Sequence, residues 1–343
     1  MGDGGPGGFG VTPEPGREIQ QPGQPTLPGM PRRLYPCTPT RLNTWLDCPR
    51  RYRMSYLDRP APAKGPPWAH NSFGASVHNA LAGWWRLRRP ERTVAAAGNL
   101  LESGWIEEGY TGPGQSAEQR ARARDMVERY VATLDPGTEP LGVERTVGAH
   151  TDRIVVTGRI DRLDARRGPA GEPELAVVDY KTGRRRLSAD DARTSMALAL
   201  YALAAARIFH RPCHRVELHH LPTGEVHPWE HTKQAIDRQV RRAEGIAAEC
   251  RDADERYRAG LPAGQADEVF PPRPGPGCSW CDFRALCPEG SAAAPAHRPW
   301  DGLAVLARAS PRERPPGTPR RRRARVTASR RPRALLAGTC AAW

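Results

Sequence analysis

Residues 174–181 read Glu-Leu-Ala-Val-Val-Asp-Tyr-Lys, and no other run constrains the fold as strongly. A short, continuous apolar stretch rich in Val is the pattern of a buried strand. It closes on two charges two residues apart. Side chains two apart on a strand share a face, so Asp179 and Lys181 point one way while Val178 and Tyr180 enter the opposite layer. An isolated Asp-x-Lys pair is ordinarily a solvated ion pair. At the end of a buried strand it needs a reason. The preceding β-like run, Arg153–Asp164, adds a second carboxylate, with Asp161 expected to end that strand. Pairing of the two strands brings Asp161 and Asp179 close. Carboxylates so placed repel unless a divalent cation lies between them. Mg²⁺ or Mn²⁺ held there polarises a phosphodiester and activates water, and Lys181 steadies the attacking water or the developing charge.

The rest of the chain gives this pair its setting. Met1–Pro36 is a Pro/Gly-rich leader without packing signals. Thr38 then caps a helix with Pro39 at its first position, and Pro49 interrupts or restarts it. Ser72–Leu87 predicts a helix with Phe73, Val77, Leu81, Trp84 and Trp85 on one side. Those tryptophans fit a core better than a base-stacking platform. Further helices are expected over Glu91–Glu108 and Gln115–Leu134. Three strands follow, at Leu141–Ala149, Arg153–Asp164 and Glu174–Lys181. Next come a buried helix over Leu187–Phe209, a hairpin (His214–His220 and Glu225–Glu230) and a charged helix over His231–Tyr257. Helices, three strands, helix, hairpin, helix is the order of an α/β domain around a mixed sheet. Beyond residue 288 the chain is Ala/Pro/Arg-rich. The expected division is therefore 1–36 leader, 37–288 folded domain and 289–343 disordered tail.

The chain has 343 residues and eight cysteines. No stretch is long and apolar enough for a membrane helix, and the Gly-rich start lacks a signal-peptide core, so the expected location is the cytoplasm. In that reducing setting the cysteines indicate metal ligation or buried thiols. Cys278-x2-Cys281-x5-Cys287 supplies three thiolates, one short of a closed site, with Cys48 and Cys37 as candidates for the fourth. Four thiolates suit zinc or an iron–sulfur centre. Cys213, Cys250 and Cys340 have no partner at useful spacing. The net charge is +14, which points to a polyanionic partner. Residues 289–343 hold 12 Arg against 3 acids, net +9, so the folded part is only mildly basic at about +5. Arg50, Arg51, Arg53 and Arg184–Arg186 flank the motifs and suit phosphate contacts. The basic run Arg320–Arg323 with Arg325 would add sequence-independent affinity.

Taken together, Gly158-Arg159-Ile160-Asp161 and Val178-Asp179-Tyr180-Lys181-Thr182-Gly183 resemble the PD-(D/E)xK nuclease superfamily, and within it the RecB-type exonucleases. That resemblance, over about residues 36–288, implies a restriction-endonuclease-like core with N-terminal helices and a C-terminal cysteine-rich loop. Gly74-Ala75-Ser76-Val77-His78 matches the family's helical histidine. By resemblance His78, Asp161, Asp179 and the Tyr180 backbone carbonyl hold the metal, and Lys181 is catalytic. The family's Gln-x3-Tyr motif is matched by Tyr201 but departs at Ala197. Arg193, one turn before Ala197 on a continuous helix, would supply the missing polar contact. Leu46-Asp47-Cys48-Pro49-Arg50-Arg51-Tyr52 looks like the early element of members carrying an iron–sulfur cluster. The resemblance therefore assigns Cys48, Cys278, Cys281 and Cys287 to one 4Fe–4S cluster, with Zn²⁺ the competing occupant. It implies a DNA exonuclease of repair or recombination. No Gly-x4-Gly-Lys-Ser/Thr loop occurs, so any helicase would be a separate partner. The alternatives are a non-catalytic nucleic-acid-binding module of the same fold and a CRISPR-associated adaptation nuclease.

Overall fold

The structure is a computed structural model and describes residues 33–168, 171–262 and 264–303. Thr38 caps α1 (Pro39–Asp47) by accepting the Arg41 amide at 3.0 Å. Pro49 opens α2 (Pro49–Tyr56), so the chain stops and restarts at Cys48. A three-residue strand, β1 (Tyr35–Cys37), precedes them and went unseen in the pattern because three residues carry no period. Then come α3 (Ala69–Arg86), α4 (Val94–Ser103) and α5 (Pro113–Val131). The helix expected over Glu91–Glu108 is shorter at both ends, because Thr93 caps it and Gly104 stops it.

Strands β2 (Gly142–His150), β3 (Ile154–Arg167) and β4 (Pro173–Lys181) form an antiparallel meander. The chain then crosses over through α6 (Ala189–Thr194) and α7 (Met196–Phe209) to β5 (Cys213–His220), parallel to β4. A hairpin adds β6 (Glu225–Glu230). β1 pairs in parallel with the start of β3, completing a six-stranded mixed sheet. The expected single helix over Leu187–Phe209 is two, because Ser195 leaves helical geometry and caps α7 through the Leu198 amide.

Helices cover both faces of the sheet. Val178 and Tyr180 pack with α3, α4 and α5 around Val77, Leu81, Trp84 and Trp85, which are core residues as expected. Leu175 and Val177 face α7 with Leu198 and Ala202. A third cluster joins β1, α1 and α2 to α8 (Lys233–Arg258). At its centre the fully buried Asp254 accepts from Tyr35, Tyr52 and Arg41 at 2.8–2.9 Å. A buried carboxylate needs such partners.

Two boundaries differ from expectation. Ordered structure begins before residue 37, with Tyr35 in the sheet. It also runs past residue 288. After α9 (Ala266–Val269), α10 (Pro288–Ala293) and a 3₁₀ turn (Asp301–Leu303) follow. Leu303 and Trp300 join the α3–α5 core, and the Pro299 carbonyl accepts the Ala69 amide at 3.0 Å. Composition disguised this segment, whose few apolar side chains are long-range packers. The Arg320–Arg325 run and Cys340 lie outside the described residues, as does all but the end of the expected leader. Among the described residues no helix is long and apolar enough to cross a membrane.

Candidate active site

β3 does not end at Asp161 but continues to Arg167, and the site forms where its alternation slips. Ile160 and Leu163 both pack in the α7-side core, although strict alternation would put residues three apart on opposite faces. The slip leaves Asp161 and Arg162 together toward α3. Directly across, β2 slips as well. Glu144 has φ +48°, an uncommon conformation for a non-glycine residue. The flanking pairs Val143↔Arg162 and Arg145↔Ile160 set Glu144 opposite Asp161. The two acids thus leave the ladder together.

His78, one turn past Gly74 on α3, completes the group. Its Nδ1 lies 3.3 Å from Asp161 Oδ1, and ligand atoms of His78, Glu144 and Asp161 lie within 4.8 Å of one another. The other Asp161 oxygen accepts the Tyr180 amide at 2.7 Å, so β4 is tied to β3 through a carboxylate just where their ladder stops at Arg162↔Val178. Asp179 follows on β4, with Lys181 Nζ 2.6 Å from its Oδ2. That oxygen is buried and the contact falls short of hydrogen-bond geometry. Four expected residues therefore converge, with Tyr180 lending its backbone. Asp179, on Lys181, stands outside the tight cluster and Glu144 takes the third place within it. Glu144 was not visible in sequence; the only signal was an acid on β2 at the register of Asp161.

The electrostatics show crowded negative charge. Burial, then Asp161, raises the Asp179 carboxyl, and Lys181 only partly offsets this. Burial and Asp161 likewise raise Glu144, despite Arg159 at 2.7 Å. Burial alone would lower His78, but the surrounding carboxylates raise it. All three shifts favour taking up positive charge. A divalent cation meets that demand, and one imidazole with carboxylate donors is a set that can hold one.

Tyr201 on α7 reaches the same place from the other face. A Cβ on Gly158 would stand 2.3 Å from its ring, so this glycine exists to let the tyrosine cross β3. Asp179 and Asp161, after burial, push its hydroxyl up. Arg193 is not on that face. The break at Ser195 puts it on α6, paired with Asp190 at 2.8 Å and over the Trp229 ring. Beneath the site, Arg162 donates to the hydroxyls of Tyr130 and Tyr180 at 3.3 and 3.2 Å and pairs with Asp164 at 2.9 Å. His219 bridges Tyr130 and Glu217 at 2.7 and 2.9 Å. This network fixes Tyr180 from below.

The cysteines converge elsewhere. Cys48, Cys278, Cys281 and Cys287 line one cavity of about 370 Å³. Cys37 is instead buried in the core, which pushes its thiol up to about 11. Cys213 and Cys250 are also buried, both pushed up to about 12. Gly290 leaves room for sulfur: its Cβ would meet Cys287 Sγ at 3.3 Å and Cys278 Sγ at 3.4 Å. Arg50 is buried, ion-paired with Glu289 and donating to Cys287 Sγ at 3.4 Å. It pairs with Asp267 at 3.0 Å, as Arg53 does with Asp58 at 3.2 Å. Through Cys287 and Glu289, Arg50 braces the cysteine loop. Arg51 keeps an i,i+4 contact with Asp47 at 4.0 Å.

No curated protein matches the chain significantly. The family model of the PD-(D/E)XK nuclease superfamily matches residues 36–288, from within β1 to just past Cys287. A six-stranded mixed sheet flanked by helices is consistent with the restriction-endonuclease-like fold of that family. The chain belongs to the PD-(D/E)XK nuclease superfamily.

Proposed function

We propose that the protein is a divalent-metal-dependent DNA exonuclease of the RecB type, serving repair or recombination in the cytoplasm, with a separate helicase as its natural partner. The observation that carries this reading is the convergence of His78, Glu144 and Asp161 beside the Asp179–Lys181 pair. His78, Glu144, Asp161, Asp179 and the Tyr180 carbonyl would hold Mg²⁺ or Mn²⁺. When bound, the ion supplies a Lewis acid for the phosphodiester and makes water a better nucleophile. Lys181 offsets negative charge gathering on the phosphorus oxygens. Tyr201 walls the site on the α7 side and orients the strand. Arg159 stands 70% exposed beside Glu144, where it meets the entering backbone. A non-catalytic module of the same fold would have no use for this lysine and would not need crowded carboxylates.

The cysteine cavity is read as the seat of a 4Fe–4S cluster held by Cys48, Cys278, Cys281 and Cys287. Four thiolates would also suit one zinc ion; the likeness of Leu46–Tyr52 to the early element of cluster-carrying members supports iron. The cluster's role is to close a loop of more than 200 residues, so binding is coupled to folding.

The test is Mn²⁺-dependent release of label from single-stranded DNA labelled at either end, alongside a circular substrate. Wild type should degrade the linear strand and spare the circle. Lys181→Ala should lower the rate about 10²–10³-fold, the usual effect of losing one charge-stabilising group, with an unchanged melting curve. Equal rates in the two proteins would end the catalytic assignment. Cleavage of the circle would replace exonuclease with endonuclease.

A further inference from the structure

A second cavity, of about 310 Å³, opens next to the carboxylate site. Its lining includes His70, Asn71, Arg122, Thr182 and Arg184, and none of its lining residues is acidic. Thr182 directly follows Lys181, and its Oγ1 lies 3.2 Å from where a Cβ on Gly74 would be. His78 is one helical turn beyond Gly74, about 6 Å along α3. The cavity is therefore about one nucleotide step from the residues that would hold the metal.

Arg122 gives the cavity its character. The side chain is half-buried, and its guanidinium lies 5.9 Å from the Phe73 ring. Among the described residues no carboxylate pairs with it. By contrast, the half-buried Arg41, Arg53, Arg124 and Arg215 each hold an acid. The nearby Asp301 is occupied by Arg298 at 3.0 Å and does not neutralise the cavity. His70 Nδ1 is buried without a hydrogen-bond partner. A half-desolvated guanidinium, an idle imidazole nitrogen and a threonine hydroxyl are donors awaiting oxygen acceptors.

We propose that this cavity is a phosphate subsite, in which Arg122 with Thr182 and Arg184 grips a backbone phosphate of the nucleic-acid strand neighbouring the one cut. The proposal rests on the nuclease reading and specifies where that strand runs: over the N-terminal turns of α3, between α5 and the end of β4. Arg122 is here a binding residue, one phosphate away from the reaction.

The experiment measures binding of fluorescent single-stranded DNA across a salt series, using Lys181→Ala protein so that the ligand survives. Arg122→Met is added because methionine keeps the packing on Phe73 and removes the charge. The expected result is weaker binding with a salt slope shallower by about 0.7, one single-strand phosphate contact. Arg122→Lys should recover most of that slope. The control Arg256→Ala, on exposed α8, should keep the parent slope. An unchanged affinity and slope in Arg122→Met, with an unchanged melting curve, overturns the subsite. Wild-type protein that leaves the same DNA uncut with Mn²⁺ would instead overturn the nuclease reading beneath it, so the two failures are distinguishable.

Discussion

The carboxylate site and the cysteine cavity are built in opposite ways. Apart from His78, the carboxylate site is assembled from three consecutive strands, within residues 144–181. Its donors are positioned by the backbone itself: a shared slip in β2 and β3, and an amide from Tyr180 to Asp161. It is set by the fold and strained electrostatically, since burial and mutual repulsion raise Asp179 and Glu144. The cysteine cavity draws on the junction of α1 and α2 and on a Pro/Gly-rich loop near the end of the fold. Its sulfurs gain their positions from 3₁₀ turns and arginine braces. Chemistry that must be preorganised sits on the sheet, whereas the proposed staple sits where the first helices meet the last turns of the described fold.

That contrast should show first in stability. Cys278→Ser should lose its bound metal and lower the melting midpoint by about 10 °C or more, from losing a few kcal/mol of coupled metal binding in a domain of this size. A metal-free variant melting like wild type would remove the staple from the account. Next is the wall of the carboxylate site. Gly158→Ala forces a Cβ against the Tyr201 ring and should cost about 1–3 kcal/mol in urea denaturation. Adding Tyr201→Ala should recover part of that loss while leaving activity low. Simple additivity of the two substitutions would mean that the ring does not lie over this glycine.

The smallest effect concerns the support beneath the site. Burial alone would raise the Glu217 carboxyl, but hydrogen bonds from His219 and Arg215 outweigh it and hold it at about 2. A depressed folded value adds stability above the ordinary range near 4.5, lost as pH falls toward 2. The gain at neutral pH is at most roughly 3 kcal/mol. Glu217→Gln should therefore be less stable than wild type at pH 7, and the gap should close as urea midpoints are taken at lower pH. A gap independent of pH would make the contribution one of packing.

Much of the candidate site was legible because it lies in regular elements. The apolar run before Asp179 and the period of two put Asp179 and Lys181 on one face, where they meet at 2.6 Å, and the resemblance of Gly74–His78 to the family's helical histidine singled out His78. What stayed hidden depended on departures from regularity. Glu144 reaches the site only because its φ is positive and β3 slips opposite it. Arg193 is diverted because Ser195, just before the apolar run, caps a new helix. Residues 289–303 pack through Trp300 and Leu303, which composition alone could not distinguish from a tail. Cys48 was preferred to Cys37 by resemblance alone; the burial of Cys37 in the core is a property of the folded chain.

The central claim is that the two sites are separate, one cutting and one holding. Asp161→Asn, purified anaerobically, tests it most directly when iron, sulfide, Mn²⁺ binding and DNA cleavage are measured on one preparation. The account predicts iron and sulfide at the wild-type level together with lost Mn²⁺ binding and lost cleavage. Cleavage that survives the substitution, or iron that disappears with it, would contradict the account.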